Sequence, residues 1–213
     1  MKRSIAVLGL GKYGKSVAEC LYDMGAEVLV ADCNEELIRE FANKSTVAVC
    51  ADLSNEDEVM ALDLKNMDIV ITAMGGNLSA SIMAVAVAKE QGVPLVVAKT
   101  SSNRMSSIIK KVGADKILDP EDEGGVRSAH ILTSRLLDYM ELDDNFCIAE
   151  VKARSSWLGK NLIELNLRKT YNMNVVAMKE RGGLWSFADP NIKVREENIF
   201  LVAMEKKDLR KWQ

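Results

Sequence analysis

Ser4-Ile5-Ala6-Val7-Leu8-Gly9-Leu10-Gly11-Lys12-Tyr13-Gly14-Lys15-Ser16-Val17 is the stretch from which the rest of the chain is read. A short apolar run enters a loop with glycines at 9, 11 and 14. Apolar residues then recur at helical spacing through Val17, Ala18 and Leu21. Strand, tight turn and helix with G-x-G-x-x-G spacing are the signature of a dinucleotide-type fold. Gly9 permits the turn, Gly11 lets backbone N–H groups approach a phosphate, and Gly14 lets the helix pack on the sheet. The helix start adds a partial positive charge that favours an anion. Such a motif is weak evidence when it stands alone, so its neighbours must support it.

They do. Glu27-Val28-Leu29-Val30-Ala31-Asp32 reads as a second strand ending in an acid, 18 residues after Gly14. That is the place of the carboxylate that accepts hydrogen bonds from a ribose hydroxyl. The competing role is a helix N-cap, which Asn34 can fill instead. Further strands are expected over 46–52, 68–73, 95–99 and 116–119, alternating with helices, the fourth over about 78–91. They finish at Asp52, at Ala73 ahead of the Met74-Gly75-Gly76-Asn77 loop, and at Lys99. Alternating strands and helices require parallel crossovers and a doubly wound α/β sheet. Ligands in that architecture bind beyond the carboxyl ends of the strands. Gly9, Gly11, Lys12, Tyr13, Gly14, Asp32, Asp52, Ala73, Asn77 and Lys99 all fall on that edge and form the candidate cofactor site.

Composition sets the outer limits. The chain has 213 residues, 48% hydrophobic and 28% charged, as expected of one large or two small globular domains. The apolar run Ala80–Ala88 is too short for a membrane span, and Met-Lys-Arg leads straight into a strand, so a cytosolic chain without a signal peptide is expected. Cys20, Cys33, Cys50 and Cys147 include no C-x-x-C pair, and free thiols are expected. Through Asp144 there are 15 basic against 23 acidic residues; from Asn145 onward, 13 against 8. The change of sign supports two domains and argues against nucleic acid as partner of the first.

The expected division is a nucleotide-binding domain over 1–125, a connecting helix within 126–144, and a small α+β domain over 145–213. Pro120-Glu121-Asp122-Glu123-Gly124-Gly125 reads as an acidic turn, followed by a helix over about 126–140 holding the single histidine, His130. The last stretch reads as β-α-β-β-β, with a hairpin at Arg181-Gly182-Gly183 and a short basic tail.

The order of these pieces resembles the cytosolic regulatory subunits of bacterial Ktr and Trk potassium uptake channels, an RCK N-lobe followed by an RCK C-lobe. The resemblance covers nearly the whole chain. It rests on Gly-Leu-Gly-Lys-Tyr-Gly, Val-Ala-Asp-Cys-Asn-Glu-Glu, Ala-Met-Gly-Gly-Asn-Leu-Ser-Ala-Ser and Gly-Ala-Asp-Lys-Ile-Leu-Asp-Pro-Glu in the first lobe. In the second it rests on Gly-Lys-Asn-Leu-Ile-Glu-Leu-Asn-Leu-Arg and Arg-Glu-Glu-Asn-Ile-Phe-Leu-Val. The resemblance implies a Rossmann-like first lobe and a non-enzymatic regulator binding ATP or ADP, with NAD(H) also taken by such lobes. It implies homodimers, an octameric ring and an integral-membrane potassium channel partner at the inner face of the membrane.

By the same resemblance, Lys12 stands where an arginine commonly reaches the terminal phosphate, and Lys99 matches a basic position near the phosphates. Glu121 matches a glutamate that helps hold a divalent cation, Mg²⁺ or Ca²⁺, between subunits, with Asp119 in place of a histidine. Ile163, Asn166, Arg168, Val175 and Val176 match a cyclic di-AMP site in the C-lobe. The other function classes left open are an NAD(P)-dependent oxidoreductase and an RCK-type regulator of a different transporter.

Overall fold

A computed structural model describes residues 2–133 and 136–212. The chain forms two compact units that divide between Asp122 and Glu123.

In the first unit, β1 (Ser4–Leu8), β2 (Glu27–Asp32), β3 (Val47–Cys50), β4 (Ile69–Thr72), β5 (Leu95–Lys99) and β6 (Lys116–Leu118) form one parallel sheet in the order β3-β2-β1-β4-β5-β6. The helices between them are α1 (Lys12–Asp23), α2 (Glu35–Phe41), α3 (Glu56–Met60), α4 (Leu78–Glu90) and α5 (Asn103–Val112). Alternate residues of β1 enter different cores, Ala6 and Leu8 on one face and Val7 on the other. Burial on both faces is why the central strands β1 and β2 read as continuous apolar runs. Leu8 lies in register with Ala31 on one side and Thr72 on the other. Strand order reverses at β1, so the loops after β1 and β4 meet at the switch point. This is the Rossmann-like architecture expected for the first lobe.

The helix expected over 126–140 requires correction. α6 covers Pro120–Thr133, and Leu136–Glu141 is a strand, β7; residues 134 and 135 lie outside the described residues. The presumed acidic turn is the helix start. Asp119 Oδ1 accepts the Asp122 N–H at 3.1 Å, an N-cap with proline in the first helical position. Downstream, Asp143 Oδ1 accepts the N–H groups of Asn145 and Phe146, both at 2.7 Å. That Asx turn joins β7 to β8 (Phe146–Lys152) as antiparallel neighbours. The apolar spacing of Leu136, Leu137 and Met140 fitted a helix equally well, and the Asp-Asp-Asn turn settles it.

The second unit is a five-stranded sheet, β10-β9-β11-β8-β7, built from these strands with β9 (Met173–Glu180), β10 (Ser186–Phe187) and β11 (Asn198–Glu205). Two short helices, α7 (Leu162–Leu165) and α8 (Leu167–Tyr171), lie between β8 and β9. They are separate because Asn166 adopts φ 43°, ψ 51°, which ends one helix and starts the next. The expected basic tail is a 3-10 helix, Lys206–Trp212, whose Leu209 and Trp212 are buried. Trp212 meets Trp157 edge-on at 5.7 Å, and the Arg154 guanidinium lies 4.1 Å over the Trp212 ring.

Candidate functional site

The glycine loop is built around two close approaches. Gly9 has φ +96°, and a Cβ there would stand 2.6 Å from Met74 Cγ. Gly14, in the first turn of α1, faces the Gly9 carbonyl so closely that a Cβ would stand 1.9 Å from its oxygen. Ala73, buried at the end of β4, supports both: its N–H donates to Leu8 O at 2.7 Å, and its Cβ would lie 3.1 Å from a Cβ on Gly14.

Gly11 differs. It is the N-cap of α1, in extended conformation, with no side-chain cap and nothing within 4 Å of a would-be Cβ. The first turn of α1 also carries no acid. The helix start therefore has no capping side chain and the space over Gly11 is clear, the arrangement that accommodates a phosphate. Lys12 is exposed on that first turn, and Tyr13 beside it is half-buried. The residues present fit a nucleotide's phosphates.

Two backbone N–H groups in the loops around Asp32 donate to its carboxylate. Its Oδ2 accepts the Leu10 N–H at 2.6 Å and its Oδ1 the Asn34 N–H at 2.9 Å. Asn34 is itself the N-cap of α2, accepting from Glu36 and Leu37. The capping alternative for Asp32 thus falls away, and its carboxylate stands against the backbone of the glycine loop. Leu10 is the anchor that sequence reasoning missed, since a backbone donor leaves no trace in residue type. Asp52, exposed at the end of β3, accepts from both the hydroxyl and the N–H of Ser54, at 2.7 and 2.9 Å. These bonds hold its carboxyl below the usual aspartate value.

The loop after β4 is fixed by hydroxyls. Ser81 Oγ donates to Met74 O at 3.1 Å and Ser101 Oγ to Gly75 O at 2.7 Å. Asn77 caps α4 by accepting the Ala80 N–H at 3.1 Å. Ser81 is fully buried, and a serine inside the apolar run of α4 was the available signal for this role. Lys99 is also buried, 8% exposed, and a Cβ on Gly75 would stand 2.9 Å from its Nζ. Its ammonium donates to Glu121 Oε1 at 2.7 Å. That bond holds the Glu121 carboxyl below the usual glutamate value. The residue expected near phosphates and the residue expected at a cation are thus partners of each other. Among the described residues no group of three or more His, Cys, Asp or Glu side chains is gathered as a metal site.

In the second unit a cavity of about 530 Å³ is lined by Ile163, Asn166, Arg168 and Val175, together with Leu162, Asn174 and Pro190 among others. Four of the five residues expected there are brought together. Val176 is not among them: it is the extra residue of a bulge in β9, where Val202 pairs with Val175 and Leu201 with Ala177, and it is 43% exposed. Pro190, which follows β10, completes the wall from a loop that the sequence pattern does not mark.

The fold and the site thus define a Rossmann-type lobe whose switch point is arranged for an anionic nucleotide, followed by a smaller α+β lobe. The TrkA-N domain family matches residues 5–120. The chain is 33% identical to Ktr system potassium uptake protein A of Bacillus subtilis over 212 residues, covering 99% of this chain and 96% of that protein. It is also 33% identical to Ktr system potassium uptake protein C of the same organism over 214 residues, 100% of this chain and 97% of that one. A solved structure titled as the GsuK channel bound to NAD matches with TM-score 0.69 at 14% identity, over 98% of this chain and 38% of that one. This likeness bears on the fold alone. The chain belongs to the TrkA-N family, among the Ktr system potassium uptake proteins.

Proposed function

We propose that this chain is a cytoplasmic, nucleotide-gated regulatory subunit of a potassium uptake system. On this reading it acts as a homo-oligomer on an integral-membrane potassium channel subunit, through which it reaches the inner face of the membrane. The observation that carries the reading is the glycine loop itself: Gly14 closed against Gly9, Gly11 open over the uncapped start of α1, and Asp32 braced beneath. The full-length likeness to Ktr system potassium uptake proteins gives that loop its context. A nucleotide would place its phosphates over Gly11 with Lys12 at their far end, its ribose at Asp32, and its adenine toward Asp52. Tyr13, Ala73, Asn77 and Lys99 would complete the site. ATP and ADP are the proposed ligands, NAD(H) the competitor. A ligand gates only through contacts that differ between two states, and the terminal phosphate is where ATP and ADP differ.

The relatives' names favour this reading over the oxidoreductase alternative, since they are potassium uptake proteins. Co-purification with a potassium channel subunit separates it from regulation of another transporter. A divalent cation at Glu121, Mg²⁺ or Ca²⁺, would have to displace the Lys99 ammonium from the carboxylate. A second ligand, cyclic di-AMP, is proposed for the C-lobe cavity, on the observation that Ile163, Asn166, Arg168 and Val175 line one cavity.

The test is a thermal-shift panel of ATP, ADP, NAD, NADH and cyclic di-AMP, each with and without Mg²⁺. A ligand that binds only the folded chain raises Tm. No shift with any mononucleotide or dinucleotide would overturn the N-lobe reading. A cyclic di-AMP shift that survives Arg168→Ala would move that ligand elsewhere.

A further inference from the structure

Two cysteines stand at the edge of the candidate nucleotide site. β2 and β3 end side by side, with Asp32 in register with Cys50 and Cys33 following next in the chain. The pairing continues past the strand ends, where the Ala51 N–H donates to Asp32 O at 3.0 Å. The Cys50 thiol donates to the Cys33 carbonyl oxygen at 3.6 Å. Neighbouring strands lie about 4.8 Å apart and a strand rises about 3.3 Å per residue, so the two Cα atoms are about 6 Å apart, within reach of a disulfide. Both residues are exposed. The remaining cysteines are placed differently: Cys20 lies on α1 with Met24 as its neighbour, and Cys147 is buried in the second unit.

We propose that Cys33 and Cys50 form a reversible dithiol–disulfide site, oxidised by hydrogen peroxide, that closes the nucleoside end of the loop. The Cys50 sulfur attacks one peroxide oxygen and the O–O bond breaks, giving a sulfenic acid and one water. The Cys33 sulfur then displaces the sulfenic oxygen as a second water, and the S–S bond forms. Two thiols lose two electrons and two protons; peroxide takes them up and becomes two waters. Partial desolvation and the Asp32 carboxylate push the Cys33 thiol up, and Cys33 is accordingly assigned as the resolving thiol. In a reducing compartment such a pair rests as the dithiol and changes state only under oxidant. The bridge would draw the peptide after Asp32 toward β3, across the space between Asp32 and Asp52. The blocking effect rests on the nucleotide reading; the crosslink itself does not.

The test uses the full chain. Reduced protein is treated with peroxide and digested, and the cysteine peptides are identified by mass. A Cys33–Cys50 linked pair is expected, absent in Cys33→Ser and in Cys50→Ser and retained in Cys20→Ser. Recovery of both thiols free, or oxidised separately, would overturn the site. ADP binding is then measured before oxidation, after it, and after dithiothreitol. A loss of about tenfold or more that dithiothreitol restores is expected. Equal binding by reduced and bridged protein would overturn the gating. If the reduced protein binds no nucleotide at all, the nucleotide reading fails, and the peptide map still decides the crosslink.

Discussion

The Lys99 ammonium and the Glu121 carboxylate are 2.7 Å apart, and they differ sharply in exposure: 10% for the lysine side chain and 64% for the glutamate. Lys99 also sits against Gly75, in the loop before α4. An arriving phosphate and Glu121 would therefore compete for one buried cation. Glu121→Gln is expected to strengthen ADP binding severalfold by releasing the ammonium, and Lys99→Met to weaken it by about tenfold or more. Calorimetric titration of both variants decides the point. Equal affinities in wild type and Glu121→Gln would show that the ion pair does not compete.

The glycines of the loop should separate stability from binding. Gly14→Ala places a Cβ 1.9 Å from Gly9 O and is expected to cost about 2 kcal/mol or more in denaturant unfolding. Gly11→Ala meets nothing within 4 Å and should change stability by less than about 1 kcal/mol, while obstructing phosphate and lowering nucleotide affinity. Similar unfolding losses for the two variants would contradict this division.

Lys12 is expected to read the last phosphate. Lys12→Ala should weaken ATP more than ADP, and Lys12→Arg should sharpen the difference through a bidentate fork. Competition binding with both nucleotides gives the ratio directly. Equal losses for ATP and ADP would remove Lys12 from that role.

Arg127 on α6 makes two bonds to Asp138 on β7, Nε to Oδ1 at 2.8 Å and NH2 to Oδ2 at 2.6 Å. The guanidinium holds the Asp138 carboxyl below its usual value. A depressed carboxyl contributes stability above its unfolded pKa of about 4 and loses that contribution as pH falls through the lower folded value. Arg127→Gln should therefore lower Tm at pH 7, with the gap to wild type narrowing toward pH 3. The pair is partly exposed, so the gap at pH 7 should be small. A gap that widens in acid would refute the assignment.

Trp212 closes the core of the second unit. It is 1% exposed and packs against Trp157 beneath the Arg154 guanidinium. Trp212→Ala is expected to cost about 3–5 kcal/mol in that unit. Calorimetry should show the variant unfolding at a lower temperature than wild type. A single unmoved transition would mean the tail is dispensable.

Most of the first unit was legible because its central strands are buried on both faces and its loops carry glycine, asparagine and aspartate where turns demand them. Asp32 and Asn34 could even be assigned separate roles, since only one side chain was needed to cap α2. The misreadings have specific causes. Asp119-Pro120 starts a helix, yet the glycines at 124 and 125 suggested a turn. Leu136, Leu137 and Met140 satisfied a helical spacing that the Asx turn at Asp143 overrides. The pairing of Lys99 with Glu121 and the support of the loop by Ser101 were out of reach. They depend on which side chains the sheet brings together, and local pattern carries no record of that.

The contact between Gly9 O and Gly14 has an evolutionary consequence. With that oxygen filling the space of any side chain at 14, and Met74 filling it at 9, two of the six loop positions are closed to change. Within the loop, diversification of ligand choice is confined to Leu10, Lys12 and Tyr13, and to what Gly11 leaves open. A descendant of this chain could exchange one nucleotide for another by substitution at those few places, with its framework untouched.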